Sequence, residues 1–311
     1  MKADLLNLLM LATAMVLAMI GATWQDTDAS PVGEVVRSAD VPAPSATEVT
    51  DARGVSVPVG DYQRIVSLNT VADHLLLELV ERDRLRAVTG WTVSGHPDAW
   101  RFQGLEGVGS SDQLEQIIGL EPDLVLVSKF ADETLMSRLR EHGVPVFDLG
   151  ETRGIETTRA NLRTLGVLLG EHERALHVEQ AFDRQLQALL LPSDQHAEGL
   201  FLTVWGDSFS GGTRGTSYGD MLRYGGVRDL AEQHGYSDWP QYTPEQLIAM
   251  NPSLIVTQPD MAPVVCEHGI LRELAACKPG GRVVEVAGGY IGDPGLGVVK
   301  AAAAVKAQVH P

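Results

Sequence analysis

The sequence predicts an α/β protein of two similar lobes with mostly parallel sheets, joined by a single long α-helix, with a cleft between the lobes. Three observations carry that expectation. Stretch 155–190 repeats apolar residues at three- and four-residue steps, through Leu162, Leu165, Leu169, Leu176, Phe182, Leu186 and Leu189. That is the stripe of an amphipathic helix. Gly170 is expected to break or bend it, because glycine is poor in a helix interior, and the part beyond would reach roughly 30 Å. A second observation is a pattern that occurs twice, at 115–127 and 245–257: Glu-Gln, a short apolar turn, a proline, then an apolar strand. Two unrelated helix-to-strand turns are the alternative for so short a match. Third, strands alternate with helices on both sides of the long stretch, which implies parallel sheets covered on both faces. The expected division is 1–24, a signal peptide or anchor; 25–47, a linker; 48–154, the first lobe; 155–191, the interlobe helix; and 192–311, the second lobe.

In chain order, 5–22 is almost wholly apolar, with Lys2 as a thin positive flank. It is longer than most signal cores and just long enough to span a membrane, so export is expected, with the segment cleaved or retained as an anchor. No cysteine follows it, which excludes a lipid-modified N-terminal cysteine. Segment 25–47, rich in Pro, Ser, Ala and Asp, reads as a flexible tether. A hairpin is expected at 48–59, with its turn at Asp51-Ala-Arg-Gly54. Strand 64–68 leads to helix 71–81, which Asn69 or Thr70 can cap. Strand 85–89 leads to a loop at 90–97. Helix 112–120 stops at Pro122, and strand 124–128, helix 133–142 and strand 145–149 follow. The second lobe is expected to hold strand 200–205, a glycine-rich loop at 206–217, and helices 218–224 and 244–250. Strand 254–257, helix 270–277, strand 282–286 and a closing helix at 298–309 complete it.

A chain of 311 residues, 44% hydrophobic, has ample material for a core, and its net charge of −17 argues against nucleic acid, which needs a basic footprint. Enzyme signatures fail one by one. Gly206-Asp-Ser-Phe-Ser210 lacks the second glycine of a nucleophile elbow. The glycines at 104–109 are in the wrong order for a dinucleotide loop, and there is no P-loop lysine and no HExxH. The nine histidines are scattered. His96 is a candidate ligand for a metal or haem iron at the cleft, with an exposed loop histidine as the alternative. No bare-metal ligand set is visible.

The aromatic residues are more informative. Trp91 follows the second strand, at the carboxyl end where open α/β sheets bind ligands. Trp205, Phe209 and Tyr218 hold the matching place in the second lobe, and Trp239 precedes the second copy of the repeat. Rings on opposed walls would sandwich a large flat or greasy ligand; the alternative for Trp205 and Phe209 is the core. Asn69, at a strand end, and Arg214, able to pair a carboxylate or phosphate, complete the candidate set. An oxidising compartment would allow Cys266 and Cys277 to form a disulfide.

At this point the motifs resemble a family. Asp51-Ala-Arg-Gly54, Arg64-Ile-Val-Ser-Leu68, and Leu114-Glu-Gln-Ile-Ile with Pro122-Asp-Leu-Val are similar to segments of the helical-backbone substrate-binding proteins of ABC importers. These proteins serve cobalamin, ferric siderophores and haem. Leu165-Gly-Val-Leu-Leu-Gly-Glu-His-Glu-Arg-Ala175 resembles the start of their interlobe helix. Tyr242-Thr-Pro-Glu-Gln-Leu-Ile with Asn251-Pro-Ser-Leu-Ile-Val resembles their second-lobe segment, and the likeness spans roughly 48–309. It implies a ligand cleft between lobes, a strut that limits closure, no intrinsic cofactor, no catalysis and a monomer outside the cytoplasm. It also implies a permease partner, docked by Glu115 and Glu245 on the two lobe tips. Asp73-His74 stands where many relatives carry Thr-Glu, which leaves iron-siderophore, haem and cobalamin all open as ligands. A membrane-tethered sensor, or a cofactor-handling enzyme on the same fold, is the alternative.

Overall fold

The computed structural model describes residues 43–109 and 114–311. The apolar segment 1–24, the tether up to residue 42 and the expected helix start at 112 lie outside the described residues. Among the described residues no helix is long and apolar enough to cross a membrane.

The first lobe begins with the expected hairpin, strands Glu48–Thr50 (β1) and Ser56–Pro58 (β2), antiparallel. Its turn uses Gly54 at φ +82°, a conformation that glycine adopts without steric cost. The alternating elements follow in order. They are Ile65–Ser67 (β3), Thr70–Leu79 (α1), Leu85–Thr89 (β4), Gly90–Ser94 (α2), Glu106–Val108 (β5), Leu114–Gly119 (α3), Leu124–Val127 (β6), Glu133–Glu141 (α4) and Val146–Asp148 (β7). The five strands β3 to β7 form one parallel sheet in the order β5-β4-β3-β6-β7.

Successive strand side chains point to opposite faces, and the two faces are filled by different helices. Ile65, Leu124 and Leu126 pack with Leu75, Leu76 and Leu79 of α1. Val66, Val125 and Val127 pack with Ile117 of α3 and Met136 and Leu139 of α4. The expected loop after β4 begins instead with the short helix α2, which Thr89 caps by accepting from the Thr92 N–H.

The long helical stretch differs from expectation in one respect: 155–191 holds two helices rather than one. Ile155–Leu168 (α5) and His172–Leu189 (α6) run antiparallel. Arg159 of α5 donates to Asp183 of α6 at 2.7 and 2.9 Å, and Arg163 pairs with Glu179 at 2.8 Å. Gly170, at φ +72°, reverses the chain. The hairpin is tight because Gly166 of α5 has no side chain: a Cβ there would lie 2.4 Å from that of Ala175.

Both helices reach both lobes. Leu162, Leu165 and Leu168 enter the core of the first lobe, whereas Ile155, Phe182 and Leu186 enter that of the second. The start of α6 is tied to the first lobe by Arg84–Glu171 at 2.7 Å and by Arg174 donating to the Glu78 carbonyl at 2.6 Å. Its end is tied to the second lobe by Lys306 donating to the Leu189 carbonyl at 2.8 Å.

The second lobe comprises Ala197–Phe201 (β8), Thr203–Trp205 (β9), Ser208–Ser210 (β10), Ser217–Tyr224 (α7), Val227–Asp229 (β11), Leu230–Gln233 (α8) and Gln241–Tyr242 (β12). These are followed by Pro244–Met250 (α9), Leu254–Thr257 (β13), Met261–Glu267 (α10), Arg282–Glu285 (β14), Gly288–Ile291 (α11) and Val298–Val309 (α12). A four-stranded parallel sheet has the order β11-β8-β13-β14, and an antiparallel sheet β12-β10-β9 lies apart from it. The expected strand 200–205 is therefore divided between two sheets, and the expected loop 206–217 contributes β10.

The helix expected at 270–277 is replaced by 3₁₀ turns at Leu271–Glu273 and Ala275–Cys277. Tertiary partners take the backbone donors that a helix would use internally. The Ala276 N–H goes to the Pro252 carbonyl at 2.7 Å and the Ala275 N–H to the Asn251 side chain at 2.9 Å. Cys266 and Cys277 are joined by a disulfide across 11 positions, with Cα atoms 5.4 Å apart. It fastens the end of α10 to the second of these turns.

Two stability measurements follow. Replacing Gly166→Val should wedge α5 from α6 and cost about 1–3 kcal/mol, the usual range for overpacking; urea unfolding at unchanged m-value checks it. Reducing the disulfide should cost about 2–3 kcal/mol in the chain-entropy account of short loops, read as a lower denaturation midpoint with reductant present.

Candidate ligand-binding cleft

In a parallel sheet all carboxyl ends lie along one edge, and the loops that leave them line whatever binds there. Here those loops follow β3, β4, β6 and β7. They contribute Leu68, Asn69, Thr70, Thr89, Ser128, Phe130, Gly150, Glu151 and Thr152 to a cavity of about 570 Å³. Trp239 and Pro294 of the second lobe close the other wall. The volume is within the roughly 300–1,000 Å³ of small-molecule sites.

Phe130 and Trp239 are large apolar residues left exposed, at 78% and 41%. Trp239 is held from behind, since the Arg153 guanidinium lies 4.4 Å from its ring centroid and also pairs with Asp238. Arg153 belongs to the segment between β7 and α5, so the connector between the lobes positions the aromatic wall of the second.

The cleft floor is rigid. Asn69 Oδ1 caps α1, accepting from the Val71 and Ala72 N–H groups at 2.8 and 3.1 Å. Beneath Thr89 lies fully buried Asp73, whose Oδ2 accepts from the Thr89 N–H and from the Thr89 and Thr92 hydroxyls. Burial pushes the Asp73 carboxyl up to about 6 against the opposing pull of those hydrogen bonds. Among the lining residues Glu151 is the one ionisable side chain, and Lys129 pairs with it at 3.1 Å. Among the described residues the lining contains no Arg or Lys, and no His, Tyr, Cys or Met.

Of the residues picked out from the sequence, Asn69 and Trp239 line this cavity together. Trp91 is exposed at the start of α2, and its ring covers Gly95, where a Cβ would lie 2.1 Å from it. Trp205 is exposed at the turn between β9 and β10. Phe209 is a core residue, 2% exposed and packed with Val204 and Tyr242; β10 pairs it between strands β9 and β12. Tyr218 stacks on Phe201 at 4.2 Å, and burial raises its hydroxyl pKa. Arg214 is exposed, 4.0 Å from Glu232, and lines a separate cavity. His96 is buried against His74 and Tyr290, outside the cleft lining. Glu115 and Glu245 are exposed in the first turns of α3 and α9.

Phe130, Thr70, Thr89 and Thr152 were missed by sequence reasoning. Phe130 carried a usable signal, because it follows the strand at 124–128 just as Trp91 follows the strand at 85–89.

Comparison with known proteins agrees with this geometry. The sequence profile described as periplasmic binding protein matches residues 65–277. A cobalamin-binding protein of Halobacterium salinarum is 24% identical over 291 residues, which cover 86% of this chain and 79% of that protein. A possible iron-binding (periplasmic solute-binding) protein of Staphylococcus epidermidis superposes with a TM-score of 0.70 at 17% identity, covering 81% of this chain and all of its own. A periplasmic haem-binding protein of Vibrio cholerae gives 0.68 at 19% identity, over 80% of this chain and 99% of its own. At these identities the two structures establish a shared fold.

Proposed function

The chain belongs to the periplasmic binding protein family, and from that premise we propose that it captures cobalamin in the interlobe cleft and delivers it to an ABC-type importer. The observation that carries the choice of ligand is the chemistry of the lining. Haem iron is held by His, Cys, Met or Tyr, and among the described residues none of these lines the cavity. Anionic ferric siderophores call for basic partners, and the lining offers none. Cobalamin brings its own axial ligands and a rim of neutral amides. Asn69, Thr70, Thr89, Ser128 and Thr152 can hydrogen-bond such a rim, while Phe130 and Trp239 cover apolar ring faces. A relative that aligns with most of this chain is described as a cobalamin-binding protein. An iron-siderophore or haem is the second reading.

The lobes and strut are assigned as 48–154, 155–191 and 192–311. The family works outside the cytoplasm, and we place this chain there as a monomer. The expected role is binding and delivery.

Titration with cyanocobalamin and, separately, haemin tests the ligand. Cyanocobalamin should quench tryptophan fluorescence and bind saturably. Phe130→Ala and Trp239→Ala should each weaken it at least about tenfold, or about 1.4 kcal/mol. A shifted, sharpened Soret band with haemin, and no binding of cyanocobalamin, would replace cobalamin with haem.

Delivery requires a partner, and Glu115 and Glu245 are assigned to dock it. Charges at such an interface govern encounter rate and register, so docking should weaken with salt. The double change Glu115→Lys and Glu245→Lys should abolish uptake in cells while leaving the cyanocobalamin Kd within about twofold, since neither residue lines the cleft. Undiminished uptake would remove both residues from the docking role.

A further inference from the structure

Behind the cleft wall that Pro294 helps to form, the two lobes also meet where the 292–297 loop, between α11 and α12, packs against α1. Pro294 accepts there from the Thr158 hydroxyl at 3.0 Å, and a Cβ at Gly295 would lie 2.8 Å from the Val71 side chain. Three side chains converge at this seam: His74 from α1, His96 from the loop after α2, and Asp293 from the second lobe. One ligand atom of each lies within 4.8 Å of the others. All three are more than nine-tenths buried. His74 Nε2 is buried without a hydrogen-bond partner, although such a group is normally satisfied, while the His96 ring also meets the Gly289 backbone. The histidine rings sit 4.4 Å apart.

From this arrangement we infer a binding site for one divalent transition-metal cation of the zinc class, held by His74, His96 and Asp293, that fastens the two lobes together at the seam. The donor set is two imidazoles and one carboxylate, which leaves a fourth position for water. Zinc bonds of about 2.0–2.2 Å set donors roughly 3.4 Å apart in a tetrahedron, so modest side-chain rotation closes the site.

The neighbouring positive charges are partly offset by their own partners and by Asp98. Lys300 pairs with Asp98, and Arg101 with Glu78. Among the described residues Asp293 makes no ion pair. Its two oxygens accept from the Gly295 and Gly297 N–H groups at 2.8 and 3.0 Å, which aims the carboxylate and leaves lone pairs for a metal. There is one cost. The Asp98 N–H donates to His96 Nδ1 at 3.0 Å, so the proton of the neutral ring is on Nε2. Coordination through Nε2 moves that proton to Nδ1 and gives up the turn contact.

A cavity of about 490 Å³, lined by His74, Asp293 and residues of α6, gives a cation access to the seam. The site shares no residue with the cleft lining, so it stands whatever ligand the cleft takes.

Cobalt(II) titration of chelator-treated protein tests the inference, with zinc as competitor. The expected result is one equivalent of Co²⁺ giving the visible bands of tetrahedral coordination, displaced by Zn²⁺, with Zn²⁺ raising the melting temperature. Asp293→Asn and His74→Ala should each weaken binding at least about tenfold, a loss already typical of disturbing a ligand's outer shell. Exposed His234→Ala should leave binding unchanged. Far-UV circular dichroism reports whether the variants still fold. Absence of a saturable band, or equal Co²⁺ affinity in a folded Asp293→Asn protein, overturns the site; loss on His234→Ala reassigns binding to the surface and overturns it as well.

Discussion

The structure depends on the close antiparallel contact of α5 and α6. Two helices that each insert side chains into both lobes fix the spacing between the two sheets, with the Lys300–Asp98 pair and the 292–297 loop joining the lobes as well. The contact is close because Gly166 faces Ala175, and its register is set by Arg159–Asp183 and Arg163–Glu179. A single strand crossing between lobes could swing about one point. A paired helical strut has to bend in two places at once, or shear along its seam, before the lobes can move. We propose that packing geometry, rather than a ligand, sets the width of the cleft.

Topology then decides what faces that fixed gap. All strands of the first sheet run parallel, so the helix-capping and loop residues after β3, β4, β6 and β7 fall on one edge. Side chains used locally, such as Asn69 in capping and Thr152 in accepting from Asn161, stand beside Ser128. The second lobe supplies Trp239 through its small antiparallel sheet region, and Arg153 of the connector braces that ring. The polar, nearly uncharged lining reflects this origin: strand ends and helix starts favour Asn, Ser and Thr, because short polar side chains satisfy free backbone donors.

Much of the fold could be read directly from the sequence. Most of the first lobe followed from strand and helix periods, because its central strands are buried on both faces and its helices carry clear stripes, but the edge strand β5 and the short helix α2 were not foreseen. The N-cap at Asn69 and the closing helix at 298–309 were local signals of the same kind. Helix 270–277 failed because tertiary partners, the Pro252 carbonyl and the Asn251 side chain, claimed its donors. The stretch 155–191 kept its helical period but not its continuity: Gly170 marked a break, while the reversal itself depends on contacts between residues some twenty positions apart.

The site was harder to read. Trp239 and Asn69 lay at predictable sheet positions, but Phe209 and Tyr218 occupy the same kind of position and turn inward, because β10 pairs with β12 and Tyr218 stacks on Phe201. Nothing local distinguishes an aromatic residue that packs from one that stays free. His96 shows the same limit, since its burial against His74 and Asp293 joins segments about 200 positions apart.

The distance between the lobes, with and without cyanocobalamin, tests the account most directly. Spin labels at Ser137→Cys on α4 and Ala249→Cys on α9, both exposed, report it by pulsed dipolar spectroscopy. A strut that fixes the cleft predicts one distance distribution, unchanged when the ligand saturates. A second population, or a shift of the mean approaching a helical turn of about 5 Å, would show that the lobes close by bending or sliding and that α5 and α6 do not set the cleft.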